Sequence, residues 1–253
     1  MLLLKISDIE VEMNLWLLFA LCFVIQCFST PLFLKLSWPT RSMRSLTAKM
    51  VSATLFVAVG FLSANISANE SDFAKTMLVG LCLGWVGDFF LHSDKNSCFG
   101  IGMVSFMAGH VAYIFAYIRA LNSFEGYNHF NIIEVLSLAV LLVSSLFVFK
   151  RFKFEFSLKI LKFGVVVYTG VLVVMFLKAT SLGLNYMLSG GENGLWALLT
   201  LALGSLFFLL SDATIGVLMF GGQKKNRPLK IFNIVTYFAG QMLLASSILF
   251  IKI

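Results

Sequence analysis

The chain has 253 residues with a mean hydropathy of +0.93, and 59% of its side chains are hydrophobic against 12% charged, about half the charge of an ordinary soluble domain. That composition excludes a soluble globular enzyme and a disordered chain. The net charge of +7 fits either a nucleic acid partner or a membrane protein with basic loops, so its distribution must decide.

Apolar runs long enough to cross about 30 Å of hydrocarbon as helix occur near 14–34, 48–66, 73–92, 99–120, 130–150, 160–180, 195–221 and 231–252. None alternates with the period of two that a barrel strand requires. The reading is therefore an all-α, polytopic transmembrane bundle of eight spans, one integral membrane domain over residues 1–253. Acidic Asp8, Glu10 and Glu12 precede the first span, and no small-residue cleavage pattern follows it, so it is expected to be a retained helix. Pro31, Pro39 and Pro228 are expected at helix ends or in loops, which argues against the interrupted helices of transporters. Cys22, Cys27, Cys82 and Cys98 have no metal or redox spacing and read as packing residues.

The loops after spans one, three, five and seven, with the helix starts that follow them, hold fourteen of the nineteen lysines and arginines; the other side of the membrane carries eight of the twelve acids. The positive-inside rule then predicts cytoplasmic basic loops and non-cytoplasmic termini. Topology and contact with anionic membrane lipids account for the excess charge, and no nucleic acid partner is expected. Oligomeric state is not legible here.

Ionisable residues are costly inside a bilayer and are functional candidates by default. Asp88 stands near the end of span three, His110 inside span four, Asp212 inside span seven and Gln241 inside span eight. At 1.5 Å per residue these groups lie roughly 5 to 16 Å from the cytoplasmic ends of their helices, all in one half of the membrane. Tyr113 shares a helix face with His110, Tyr237 precedes Gln241 by four residues, and Tyr168 lies at similar depth in span six. A polar pocket in the cytoplasmic half is predicted. The plainer role for His110 and Gln241 is hydrogen bonding between helices, and that of Gly80, Gly84, Gly87, Gly102 and Gly109 is close helix packing.

Spans three and seven each carry an aspartate after a small residue, Gly87-Asp88 and Ser211-Asp212. Spans four and eight each carry Ala-Gly-polar, Ala108-Gly109-His110 and Ala239-Gly240-Gln241. The partners are four helices apart, as two parallel four-helix repeats would place them, with the aspartates facing each other.

Paired carboxyl groups in a water-restricted pocket suit acid/base hydrolysis, one holding a proton while the other is ionised. Asp88 and His92 also have the i, i+4 spacing of metal ligands, with His110 as a third, but His129 falls on the opposite side and a three-histidine site cannot be assembled. No metal and no other cofactor is expected. Ser211 has no evident base beside it and is a positioning candidate rather than a nucleophile.

Four blocks, GWVGDFFL (84–91), FxxGHVAY (106–113), SDATIGVLMF (211–220) and TYFAGQMLLASS (236–247), with RSLTAKM (44–50) as a weaker fifth, resemble the signature segments of the lysoplasmalogenase or YhhN-like family of multi-pass membrane proteins. The resemblance implies hydrolysis of the vinyl ether bond of a lysoplasmalogen to a fatty aldehyde and a glycerophospho-head-group product, with Asp88 and Asp212 catalytic. His110, Tyr113, Tyr237, Gln241 and Ser211 would position substrate and water, and Lys49 would meet the headgroup phosphate. The expected partner is a lysophospholipid substrate in the bilayer. Two rivals are a non-enzymatic transporter or lipid-binding membrane protein, and a hydrolase of another lipid bond.

Overall fold

The computed structural model describes residues 2–93, 95–129, 131–156 and 159–253, without the side chains of residues 2–9 and 96. Charges expected at Lys5 and Asp8, and residue 130 at the start of the fifth expected span, lie outside the described residues and side chains. Among the described residues there are eight helices: α1 (Leu2–Leu36), α2 (Met43–Ile66), α3 (Asp72–Leu91), α4 (Asn96–Leu121), α5 (Ile132–Arg151), α6 (Lys159–Leu188), α7 (Gly194–Phe220) and α8 (Arg227–Phe250). Each is long and apolar enough to cross a membrane, and the protein is an integral, multi-pass membrane protein.

The helix starts follow local chemistry. Ser42 closes a capping box with Ser45, Ser71 caps α3, and Asn226 caps α8 just before Pro228. The largest departures from the expected spans are at α1, which continues back to Leu2, and α6, which runs on to Leu188. Hydropathy marks only the lipid-covered part of a helix. Polar residues of α6 stay helical by bonding their own turn: Thr180 donates to the carbonyl of Phe176 and Asn185 to that of Ser181. Pro31 corrects an expectation, because it lies inside α1 with five more helical residues after it. A proline this close to the end of a helix interrupts few backbone bonds.

Six helices form a closed ring in the order α2, α3, α4, α6, α7, α8 and back to α2; α1 packs outside on α2 and α8, and α5 outside on α6. The pairings repeat with a period of four helices: α1–α2 matches α5–α6, α2–α3 matches α6–α7, α3–α4 matches α7–α8, and α4–α6 matches α8–α2. Buried positions repeat as well. Ala53, Phe56, Val59, Gly60 and Ser63 of α2 have the same spacing as Leu172, Met175, Lys178, Ala179 and Leu182 of α6. A Cβ on Gly109 would stand 3.1 Å from the carbonyl oxygen of Gly80, and one on Gly240 would stand 2.9 Å from that of Gly204. These glycines let α4 close on α3, and α8 on α7, at corresponding places.

Candidate active site

The polar residues of the ring gather into two neighbouring clusters. In the first, Asp88 of α3 is 2% exposed, and both of its carboxylate oxygens are taken. The Lys49 ammonium of α2 is 2.9 Å from Oδ1 and also donates to the Asp88 carbonyl at 2.9 Å, while the Tyr237 hydroxyl of α8 donates to Oδ2 at 2.6 Å. Behind Tyr237 the chain continues. The Gln241 amide donates to the Tyr237 oxygen at 3.3 Å, and Tyr113 of α4 donates to Gln241 Oε1 at 3.2 Å. Two glycines of α3 make the room. A Cβ on Gly84 would be 2.8 Å from the Gln241 amide nitrogen, and one on Gly87 would be 2.7 Å from the Phe106 ring. The stripe expected to serve helix packing therefore also seats side chains of the cluster.

In the second cluster Asp212 of α7, 12% exposed, accepts a short hydrogen bond from the Tyr168 hydroxyl of α6. His110 of α4 places Nε2 3.0 Å from that hydroxyl and 3.7 Å from Asp212 Oδ2. His110 is 1% exposed, and its other ring nitrogen, Nδ1, has no hydrogen-bond partner. Phe208 joins the clusters, with its ring centroid 4.6 Å from that of His110 and 5.4 Å from that of Tyr237; Phe106 packs against both, 5.8 Å from Tyr237 and 6.4 Å from Phe208.

Of the residues expected at the site, Asp88, Asp212, His110, Tyr113, Tyr237 and Gln241 come together. Ser211 does not join them. One residue from Asp212, it points to the neighbouring helix, where its hydroxyl donates to the Asn233 carbonyl at 3.1 Å and the Asn233 amide returns a bond at 2.9 Å. Lys49 reaches the site with its ammonium turned onto Asp88. His92 shares helix spacing with Asp88 but faces α2, its Nε2 3.1 Å from both Ser45 Oγ and the Ser42 carbonyl. Among the described residues no three His, Cys, Asp or Glu side chains gather as a ligand set.

In the sequence Tyr168 stands out only by its depth, Phe106 only as the first residue of a quoted block, and Phe208 not at all. Phenylalanine is too abundant here for any one to stand out. Lys49 was legible as an ionisable residue about 9 Å inside α2 at 1.5 Å per residue, but its partner was not. Chemically, the arrangement places two carboxyl groups with unlike hydrogen-bonding partners in two clusters joined by the ring of Phe208.

The sequence model of the YhhN family matches residues 22–248, nearly the whole chain. Comparisons with curated proteins and with solved structures give no match.

Proposed function

The chain belongs to the YhhN family, and from that premise we propose that it is a membrane hydrolase cleaving the vinyl ether bond of lysoplasmalogens. The observation that carries the reading is the pair of carboxyl groups, Asp88 and Asp212, which are remote in sequence, lie in the bilayer-spanning ring and belong to two clusters that meet at Phe208. The four blocks that resemble lysoplasmalogenases lie within the matched segment, which supports this substrate class.

A vinyl ether is cleaved by protonating its terminal vinyl carbon, which leaves an oxocarbenium ion for water to attack. The step needs an acid, a negative charge beside the cation, and a base for the water. Two carboxyl groups meet all three needs, as they do around the comparable cation of glycoside hydrolysis. Tyr168 and His110 hold one carboxyl, and Lys49, Tyr237 and Gln241 hold the other. The alkenyl chain would lie among the ring phenylalanines, with the headgroup toward the basic helix ends near Arg41 and Lys230. Those basic ends would face the cytoplasm and both termini the opposite side. A single cysteine placed at Lys225 in a cysteine-free background should then be labelled only after the membrane is permeabilised.

The deciding assay offers purified protein alkenyl, alkyl and acyl lysolipids side by side. Aldehyde from the alkenyl lipid alone is expected. Fatty acid from the acyl lipid, or no cleavage with accumulation of intact lipid in vesicles, would replace the reading with an esterase or a transporter.

A further inference from the structure

Resting on the hydrolase reading, we infer that Asp212 carries the proton and is the acid, that Asp88 works ionised, and that Lys49 and the Tyr168–His110 pair are the positioning groups that impose this division.

The direction of the hydrogen bonds is the first argument. An ammonium can only donate, so Lys49 makes Asp88 Oδ1 an acceptor. Gln241 donates to the Tyr237 oxygen, so the proton of Tyr237 points to Asp88 Oδ2. The donors run one way, from Tyr113 through Gln241 and Tyr237, and end on Asp88. No acceptor in that chain is free to take a proton from Asp88.

The other chain leaves one carboxylate oxygen open. An N–H on the unpartnered Nδ1 of His110 would be buried unsatisfied, so the ring carries its one proton on Nε2, which donates to Tyr168 while Tyr168 donates to Asp212 Oδ2. Among the described residues no donor reaches Asp212 Oδ1, where a proton is held without breaking that chain. Charge balance agrees. Two carboxyl groups share one lysine, so a single proton brings the set to neutrality, and it belongs on the carboxyl that the lysine does not contact.

The cycle closes without an outside reagent. Asp212 gives its proton to the terminal vinyl carbon, and the electron pair of the double bond forms the new C–H bond, leaving the oxocarbenium ion. Water adds to the carbon bearing the oxygen while Asp88 takes one of its protons, and the hemiacetal results. Its C–O bond to glycerol then breaks as Asp88 returns that proton to the glycerol oxygen and Asp212 takes the proton of the hemiacetal hydroxyl. Aldehyde and alcohol leave, and both carboxyl groups are restored.

Infrared spectroscopy of the full-length protein in nanodiscs at neutral pH tests the assignment through the C=O stretch of a protonated carboxyl. The band is expected in the unmodified protein, is expected to move in frequency in Tyr168→Phe but not in Tyr237→Phe, and is expected to vanish in Asp212→Asn. A shift in Tyr237→Phe alone, a band that persists in Asp212→Asn, or no band in the unmodified protein would each overturn it. Lys49→Met should add a second protonated carboxyl and lower kcat about tenfold with KM unchanged, and Lys49→Arg should restore both; an unchanged spectrum and kcat in Lys49→Met would equally overturn it. If an asparagine variant does not stay monodisperse, the Lys49 pair carries the test. None of the spectra requires turnover, so a protein that releases no aldehyde from any lysolipid defeats the hydrolase reading separately from the proton assignment.

Discussion

Asp88 and Asp212 stand eight residues after Gly80 and Gly204, the glycines whose carbonyls meet Gly109 and Gly240, so the two halves of the ring present a carboxyl group on the same scaffold. What surrounds each carboxyl differs at three corresponding places. In the shared register of α2 and α6, Lys49 corresponds to Tyr168, each four residues before a buried position, and each reaches the aspartate of its own half. Gln241 corresponds to His110, both directly after the close-packing glycine, and Tyr237 corresponds to Phe106 three residues before it. One set supplies a cation and one-way donors, and the other supplies a neutral hydroxyl and an imidazole. A duplicated frame thus yields two chemically unequal carboxyl groups, which acid/base hydrolysis requires and a symmetric pair would not provide.

The comparison breaks most readily at the carboxyl groups themselves. Asp88→Asn and Asp212→Asn should each reduce aldehyde release by about a thousandfold, with insertion and folding retained, and turnover near normal in either would remove that half from the mechanism. The tyrosines should sharpen the contrast with smaller effects. Tyr237→Phe leaves Lys49 on Asp88, whereas Tyr168→Phe removes the hydroxyl that links Asp212 to His110. Losses of about tenfold and about a hundredfold are expected in that order, and the reverse order in steady-state kcat would mean that the halves had been assigned the wrong way round. Below these come the glycines. Gly240→Ala and Gly109→Ala press a methyl group against backbone oxygens at 2.9 Å and 3.1 Å, and each should destabilise the detergent-solubilised protein by about 1–3 kcal/mol, Gly240→Ala more. A harmless Gly240→Ala would show that the α7–α8 contact is looser than its counterpart.

Eight spans could be read from the sequence because a bilayer forces long apolar helices, and the depth of Asp88, His110, Asp212 and Gln241 followed from counting residues along them. The echo of Gly87-Asp88 in Ser211-Asp212 and of Gly109-His110 in Gly240-Gln241 anticipated the period-four packing. What stayed hidden was rotational. Hydropathy does not say which way a side chain points around its helix, so Ser211 was grouped with Asp212 although it faces Asn233. Lys49, likewise, stands out in the sequence by its charge and depth, but its contact with Asp88 does not. Repeat register in α2 and α6, where no motif is shared, became visible only through burial.

The smallest expected effect concerns the outer helices, where the halves differ again. α1 packs on two ring helices, but α5 has no buried residue and packs chiefly on α6. A polar clamp compensates at one end of α5. Glu134 is 2.5 Å from the Lys178 ammonium and accepts hydroxyl bonds from Ser181 and Tyr127, and Lys178 also donates to the His129 carbonyl at 3.1 Å. Burial, with the bond to Glu134 next, pushes the Tyr127 phenol well above its ordinary value, so it remains a donor to Glu134 into alkaline conditions. Lys178→Met should leave Glu134 unpaired and weaken this corner by about 1–3 kcal/mol, below the cost of breaking a fully buried pair because both side chains keep some exposure. The loosening should stay local: faster hydrogen exchange and proteolysis across residues 122–131 and the start of α5, with aldehyde release unchanged because the clamp touches neither carboxyl cluster. A parallel loss of activity would mean that the α4–α5 corner is coupled to Asp212 through α6, and that the two halves differ in how firmly their carboxyl groups are held as well as in what holds them.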